Sequence, residues 1–287
     1  MRYKNLKRNI FRTLLFGFAT IGFVFTFVFI AMQFGWLNVK GSISERNSYF
    51  KIDKNKLKNN VDKQTLQVSE YAWANSDEWK LMKEVFTRDQ DIINKAAKDA
   101  NISPRLILSG VMGEQFRFFG NRRESFKSYF EPLKILASLS NTSYGIAGLK
   151  PKTVGIIEDN LKNKNSVFYL GGDMENIVDY KEGADVESER MSRITNAKDP
   201  YYSYLYVGLY MRQIIAQWGK AGYDISTNAG VLSTLYNLGF YYSVPKENPA
   251  IGGSVMTINN TEYTFGDIGY EFYYSQELSD IFPINVQ

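Results

Sequence analysis

"SGVMGEQFRFFG", residues 109–120, decides how this chain is read. Leu106, Ile107, Leu108, Val111 and Met112 precede one acid, Glu114, and Phe116, Phe118 and Phe119 follow it. An ionised carboxylate in apolar surroundings is costly unless it is paired or protonated. The stretch is therefore either a buried helix with one carboxylate at its wet edge, or a carboxyl group whose surroundings are tuned for chemistry.

The flanking sequence favours a helix. Ser103 is suited to cap it and Pro104 to its first position, and Gly120 lies beyond an end expected near Phe118. Upstream, Ser76 is a candidate cap for a helical pattern from Asp77 to Ala100, marked by Trp79, Leu81, Met82, Val85, Ile92, Ile93 and Ala96. Downstream, helices are expected over about 125–138, from Pro151 to about Leu161, and after Asp199-Pro200 through "YYSYLYVGLYMRQIIAQWG". Further helices are expected in "STNAGVLSTLYNLGF", ending near Asn237 and Gly239, and over about 265–278, with a short hairpin between them. Residues 163–199 are polar and read as an insertion. The expected class is mainly α, in an α+β arrangement with a small hairpin region.

Composition excludes much chemistry. The 287-residue chain has no Cys and no His, so it can form no thiol nucleophile, Ser-His-Asp triad, thiolate or imidazole zinc site, or disulfide. Acid–base work near neutral pH falls to Asp, Glu, Lys or Tyr.

The N-terminus carries a separate signal. Residues 13–39 contain no charge, while Arg2, Lys4, Lys7, Arg8 and Arg12 precede them. An apolar run of this length suits a bilayer span, which needs about 20 residues. The positive-inside rule then places residues 1–12 in the cytoplasm and the chain after Lys40 outside. The expected organisation is a cytoplasmic segment 1–12, an anchor over 13–38, a polar stalk over 39–76 and a globular domain over 77–287. A cleaved signal peptide is the competing reading, and the length of the run and the lack of a small-x-small site argue against it. The formal charge of +4 comes from this end: without its five cations the rest of the chain carries 29 basic against 30 acidic residues. Charge therefore gives no argument for a nucleic-acid partner.

Three segments then stand out in order: Gly113-Glu114-Gln115; "SYGIAGLKPKTV", residues 143–154; and "LYNLG", residues 235–239. Together they resemble the catalytic domain of soluble lytic transglycosylases, in the lysozyme-like superfamily that includes goose-type lysozyme, over roughly residues 78–280. In that family a helix ends in the catalytic Glu, a Gly-rich loop leads into a Pro-x-Thr helix, and a Tyr-Asn-x-Gly helix end lies near the Glu. Gly145, Leu149, Pro151 and Thr153 fit the pattern. Gln115 stands where many members have Ser, Gly148 where a Gln is usual, and Leu235 where Ala often precedes the Tyr-Asn pair.

The resemblance implies a bacterial, peptidoglycan-directed activity on the extracytoplasmic side of the inner membrane. It implies Glu114 as catalytic residue, with Gln115, Ser143, Tyr144, Gly145, Gly148, Tyr236 and Asn237 around the substrate, and no cofactor or metal. One Glu would act first as acid and then as base, leaving 1,6-anhydro-muramic ends. A goose-lysozyme-like hydrolase is the alternative, with Glu124, Glu131 or Asp173 as candidate second carboxylates; so is a non-catalytic glycan-binding scaffold. A membrane-tethered helical domain unrelated to sugar is the third alternative. Tyr201, Tyr202, Tyr204, Tyr206 and Tyr210 are expected as core and rim residues more than as sugar platforms, and Arg122-Arg123-Glu124 as a solvated cluster. A partner in envelope machinery is left open by the sequence.

Overall fold

The computed structural model describes residues 12, 15–24, 26–27, 71–119 and 145–284. Within residues 71–284 the order is α1 (Asp77–Arg88), α2 (Gln90–Ala100), α3 (Pro104–Phe119), α4 (Pro151–Lys162), α5 (Val186–Thr195), α6 (Tyr201–Lys220), α7 (Ala229–Leu238), β1 (Val255–Ile258), β2 (Thr261–Thr264) and α8 (Phe265–Tyr274). The fold is mainly helical with one small antiparallel hairpin. The helix expected over 125–138 lies outside the described residues.

Helix α3 is the axis. Every residue from 105 to 116 is buried, and α2, α6, α7 and α8 all pack against it. A helix apolar on all sides is stable only where other helices surround it. The most extensive contacts elsewhere join α7 to α8 and α6 to α2. The first of these brings Ser233 and Thr234 of α7 against Gly266 and Gly269 of α8.

Several caps follow the sequence, but Ser103 does not cap α3 with its side chain: its hydroxyl is buried without a hydrogen-bond partner among the described residues. Ser76 accepts from Trp79 N at 3.1 Å, Pro104 opens α3, and Gly239 closes α7 with φ +103°. Thr264 and Asp267 form a reciprocal capping box on α8. Asn259 and Asn260, both at positive φ, make the hairpin turn and set the register Val255↔Thr264 to Ile258↔Thr261.

Four boundaries differ from the sequence expectation. The pattern over 77–100 is two helices: at Asp89 the backbone leaves helical values, and the buried carboxylate meets Arg88 at 2.7 Å and the Tyr204 hydroxyl at 3.2 Å. The globular domain starts before residue 77, because Trp73 is wholly buried against Trp79 and Phe272 and donates to Glu271 at 2.8 Å. The supposed insertion contains α5, capped by Asp185 and tied down through Glu158 of α4. Glu158 accepts from Arg190 Nη2 at 2.6 Å, from the Tyr206 hydroxyl at 2.6 Å and from Tyr180. Finally, α8 ends at Tyr274 rather than 278, where Arg105 collects the carbonyls of the chain as it leaves the helix.

Arg105 is fully buried and donates to the backbone oxygens of Phe272 (2.5 Å), Tyr273, Ser275, Glu277 and Phe282 (each 3.0 Å). Its guanidinium stands beside the last turn of α8, where helix carbonyls lack intrahelical partners. Burial lowers its pKa to about 10, still charged at neutral pH.

Among the described residues no helix is long and apolar enough to cross a membrane. Of the proposed anchor, residues 15–24 and 26–27 are described; they are helical, and Leu15, Phe16, Phe18, Ile21, Phe23 and Phe27 are exposed. The rest of that segment and residues 39–70 of the stalk lie outside the described residues.

Replacing Arg105 with Met should destabilise the fold by about 3–5 kcal/mol, since it strands several buried carbonyls at once. Urea denaturation followed by circular dichroism measures this; a loss under about 1 kcal/mol would mean the clasp is incidental.

Candidate active site

The last turns of α3, the loop 145–149, the start of α4 and the end of α7 converge on one open cleft of about 570 Å³. Glu114, Arg117, Gly148, Leu149, Lys150, Thr153, Tyr210, Tyr236, Asn237, Leu238 and Gly239 line it. Among these described lining residues Glu114 is the one carboxylate. Three segments far apart in sequence thus meet at one place.

Glu114 is 5% exposed. Its surroundings are not purely apolar, as the sequence suggests: one turn on, Arg117 places Nη2 2.5 Å from Glu114 Oε2. The i,i+3 spacing brings the two side chains together on the helix, and the pair supplies the counter-charge that a buried carboxylate requires. Donation of a proton from Oε2 would require Arg117 to move aside. Lys150 adds a second cation to the cleft; burial first, and then the Arg117 charge, lower its pKa.

The loop lies on the acid. Gly148 has φ +61°, and a Cβ there would overlap Glu114 Oε2 and Cδ. No other residue type fits without moving Glu114, and the left-handed backbone adds its own preference for glycine. Gly145, at φ +66°, is pressed against the carbonyl of Ile194 instead, so its missing side chain serves packing against α5 rather than an approach to the cleft.

Two side chains hold the loop from behind. Gln115, buried, donates Nε2 to the carbonyl of Ile146. The Tyr236 hydroxyl donates to Ala147 O at 2.6 Å, and the Tyr236 ring is packed edge-on to Tyr210 at 5.1 Å. Burial raises the Tyr236 pKa well above its ordinary value, and the Glu114 charge adds to the effect, so this phenol is a fixed hydrogen-bond donor. Asn237 lines the cleft while its Oδ1 accepts from Ser254 N at 2.8 Å and Ser254 Oγ at 3.0 Å, fastening the end of α7 to the residue that precedes β1.

The structure therefore brings Glu114, Gly148, Tyr236 and Asn237 to the cleft. It places Gln115 and Gly145 in the loop's supports, outside the lining. Ser143, Tyr144, Glu124, Glu131 and Arg122-Arg123 lie outside the described residues. Asp173 is exposed and does not line the cleft. Of the tyrosines of α6, Tyr204, Tyr206 and Tyr210 are buried, and Tyr201 and Tyr202 are half-buried and engaged with Asp99 and Arg193. Sequence reasoning missed Arg117 and Lys150, although the i,i+3 spacing of Glu114 and Arg117 on a predicted helix was a readable signal. No family model matches the sequence, and no curated protein or solved structure matches it either.

Gly148→Ala should destabilise the protein clearly more than Gly222→Ala. Both backbones are left-handed, at φ +61° and +88°, but an added Cβ at 222 meets nothing. The backbone alone is expected to cost about 1–2 kcal/mol, and overlap with Glu114 adds to that at 148. Equal shifts in thermal unfolding would show that the loop does not bear on the acid.

Proposed function

We propose that this protein is a membrane-anchored peptidoglycan lytic transglycosylase, with Glu114 as its single acid and base. The observation that carries the reading is the meeting, in one cleft, of a buried helix-borne carboxylate, the Gly148 loop and the Tyr236-Asn237 helix end. Their order matches the family that the sequence resembles, and the cleft's described lining offers one carboxylate, as a one-Glu scheme needs. The mainly helical fold with a small hairpin is compatible with the lysozyme-like arrangement.

In this scheme protonated Glu114 gives its proton to the oxygen that links muramic acid to glucosamine. The bond from that oxygen to C1 of the muramic acid breaks. Glu114, now a carboxylate, removes the proton of the 6-hydroxyl, whose oxygen bonds to C1. An anhydro ring forms, no water enters, and Glu114 is left protonated for the next cycle. The buried Tyr236 hydroxyl keeps the loop against the acid, and Asn237 keeps the end of α7 in place. Arg117 must leave Oε2 before the first step, so arrival of substrate has to displace an ion pair.

That ion pair is also the observation that favours a second reading. A Glu114 permanently paired with Arg117 would leave a glycan-binding module without cleavage. The product test separates the readings. Intact protein incubated with purified peptidoglycan should release fragments with anhydro-muramic ends by mass spectrometry, and Glu114→Gln should lose at least about a hundredfold in rate, the usual share of general acid–base catalysis. Reducing ends would identify a hydrolase, binding without soluble product a scaffold, and full activity in Glu114→Gln would remove Glu114 from the chemistry.

Anchoring is proposed on the uncharged run 13–38 with its basic flank, supported by the exposed apolar side chains of its described helical residues. The whole chain should remain in the membrane fraction after alkaline carbonate washing, and a chain beginning at residue 41 should not. Recovery of the whole chain in the soluble fraction would overturn the anchor.

A further inference from the structure

We propose that Tyr241 and Tyr242 form a saccharide-stacking platform that extends the Glu114 cleft along the glycan strand; this rests on the reading of the cleft as a glycan site. Both belong to the 3-10 turn Phe240–Tyr242 that follows α7 directly. Tyr241 is 88% exposed and Tyr242 61%, an unusual placement for two adjacent aromatic rings. Single exposed apolar residues need no explanation, but contiguous ones beside a cleft mark a surface that meets something.

The turn is held rigidly on both sides. Before the pair, the Phe240 ring packs 4.2 Å from Tyr210, a cleft residue, and 4.9 Å from Phe168. After it, Ser243 is buried; its Oγ accepts from Trp218 Nε1 at 2.9 Å and donates to Gln217 Oε1 at 2.5 Å, and its carbonyl accepts from Gln217 Nε2 at 2.8 Å. The two tyrosines project into water from a fixed backbone, so little ordering remains to be lost when they bind. Their rings stand 5.2 Å apart at 88° and do not hide each other as a stacked pair would.

The platform follows the cleft directly along the chain. Leu238 and Gly239 line it, and Tyr241 follows two residues later, within about 7 Å along the chain. Residues 238–244, Leu-Gly-Phe-Tyr-Tyr-Ser-Val, carry no charge. A neutral strip of aromatic faces with hydroxyl tips suits a ligand with apolar C–H faces and hydroxyl edges, which describes a sugar ring. An anionic peptide would find its complement instead at Arg117 and Lys150, inside the cleft.

The test uses the full chain in detergent with Glu114→Gln as the non-cleaving parent, co-sedimented with insoluble peptidoglycan. Adding Tyr241→Ala and Tyr242→Ala should weaken binding about tenfold or more while leaving thermal unfolding unchanged. Phe at both positions should keep most of the binding. Tyr270→Ala with Tyr274→Ala, exposed tyrosines of α8 that do not line the cleft, should have no effect. Equal binding by parent and Tyr241/Tyr242 variant overturns the platform alone, as does an equal loss in the α8 variant. A parent that does not bind peptidoglycan overturns the glycan reading and the platform with it.

Discussion

A helix buried on every side must satisfy its polar side chains from within the protein. Helix α3 is under that constraint from Arg105 to Phe116, and three of its polar residues decide where distant parts of the chain lie. Arg105 gathers the carbonyls at the end of α8. Ser109 accepts from Ser233 of α7 at 3.2 Å. Gln115 holds the loop 145–149 through Ile146, and Glu114 is matched by Arg117. Each contact gives a buried polar atom a partner, although Gln115 Oε1 is left without one among the described residues, and those of Arg105, Ser109 and Gln115 orient α8, α7 and the loop around one helix end. The cleft is a consequence of that arrangement, because the loop and α7 arrive where the buried polar residues draw them.

The same constraint explains the tension at Glu114. A carboxylate near the end of a core helix needs either a proton or a counter-charge, and Arg117 supplies a counter-charge here. A glycan that displaces Arg117 would leave Glu114 in a cleft lined by Leu149, Tyr210, Tyr236 and Leu238, with Lys150 as its other cation. The chemistry proposed for the site therefore requires Arg117 to give up its hold on Glu114 Oε2. Gly148, lacking a Cβ, lets the loop lie directly against Glu114.

Much of the fold was legible because its signals are local. Ser76, Pro104, Pro151 and Gly239 act on the backbone at or next to their own positions, so the sequence marks those boundaries nearly to the residue. The boundaries missed are set by tertiary contacts. The break at Asp89 depends on Tyr204, 115 residues away, and the inclusion of Trp73 depends on Glu271 and Phe272. Helix α5 sits in a charged stretch whose order comes from Glu158 and its cluster of Tyr and Arg partners. At the site, the sequence singled out Glu114, Gly148, Tyr236 and Asn237 together. It assigned Gln115 and Gly145 to the substrate because sequence order cannot distinguish the front of a loop from its back. Tyr241 and Tyr242 were invisible for a related reason: only the fold shows that the residues flanking them are anchored while these two face water.

The most direct measurement is a structure of the Glu114→Gln protein with a bound peptidoglycan tetrasaccharide. The bridging oxygen of a muramic acid–glucosamine pair is expected within about 3 Å of the residue 114 side chain, with Arg117 turned away from it. A saccharide bound elsewhere, or bound over the cleft with Arg117 still closed on residue 114, would contradict that expectation.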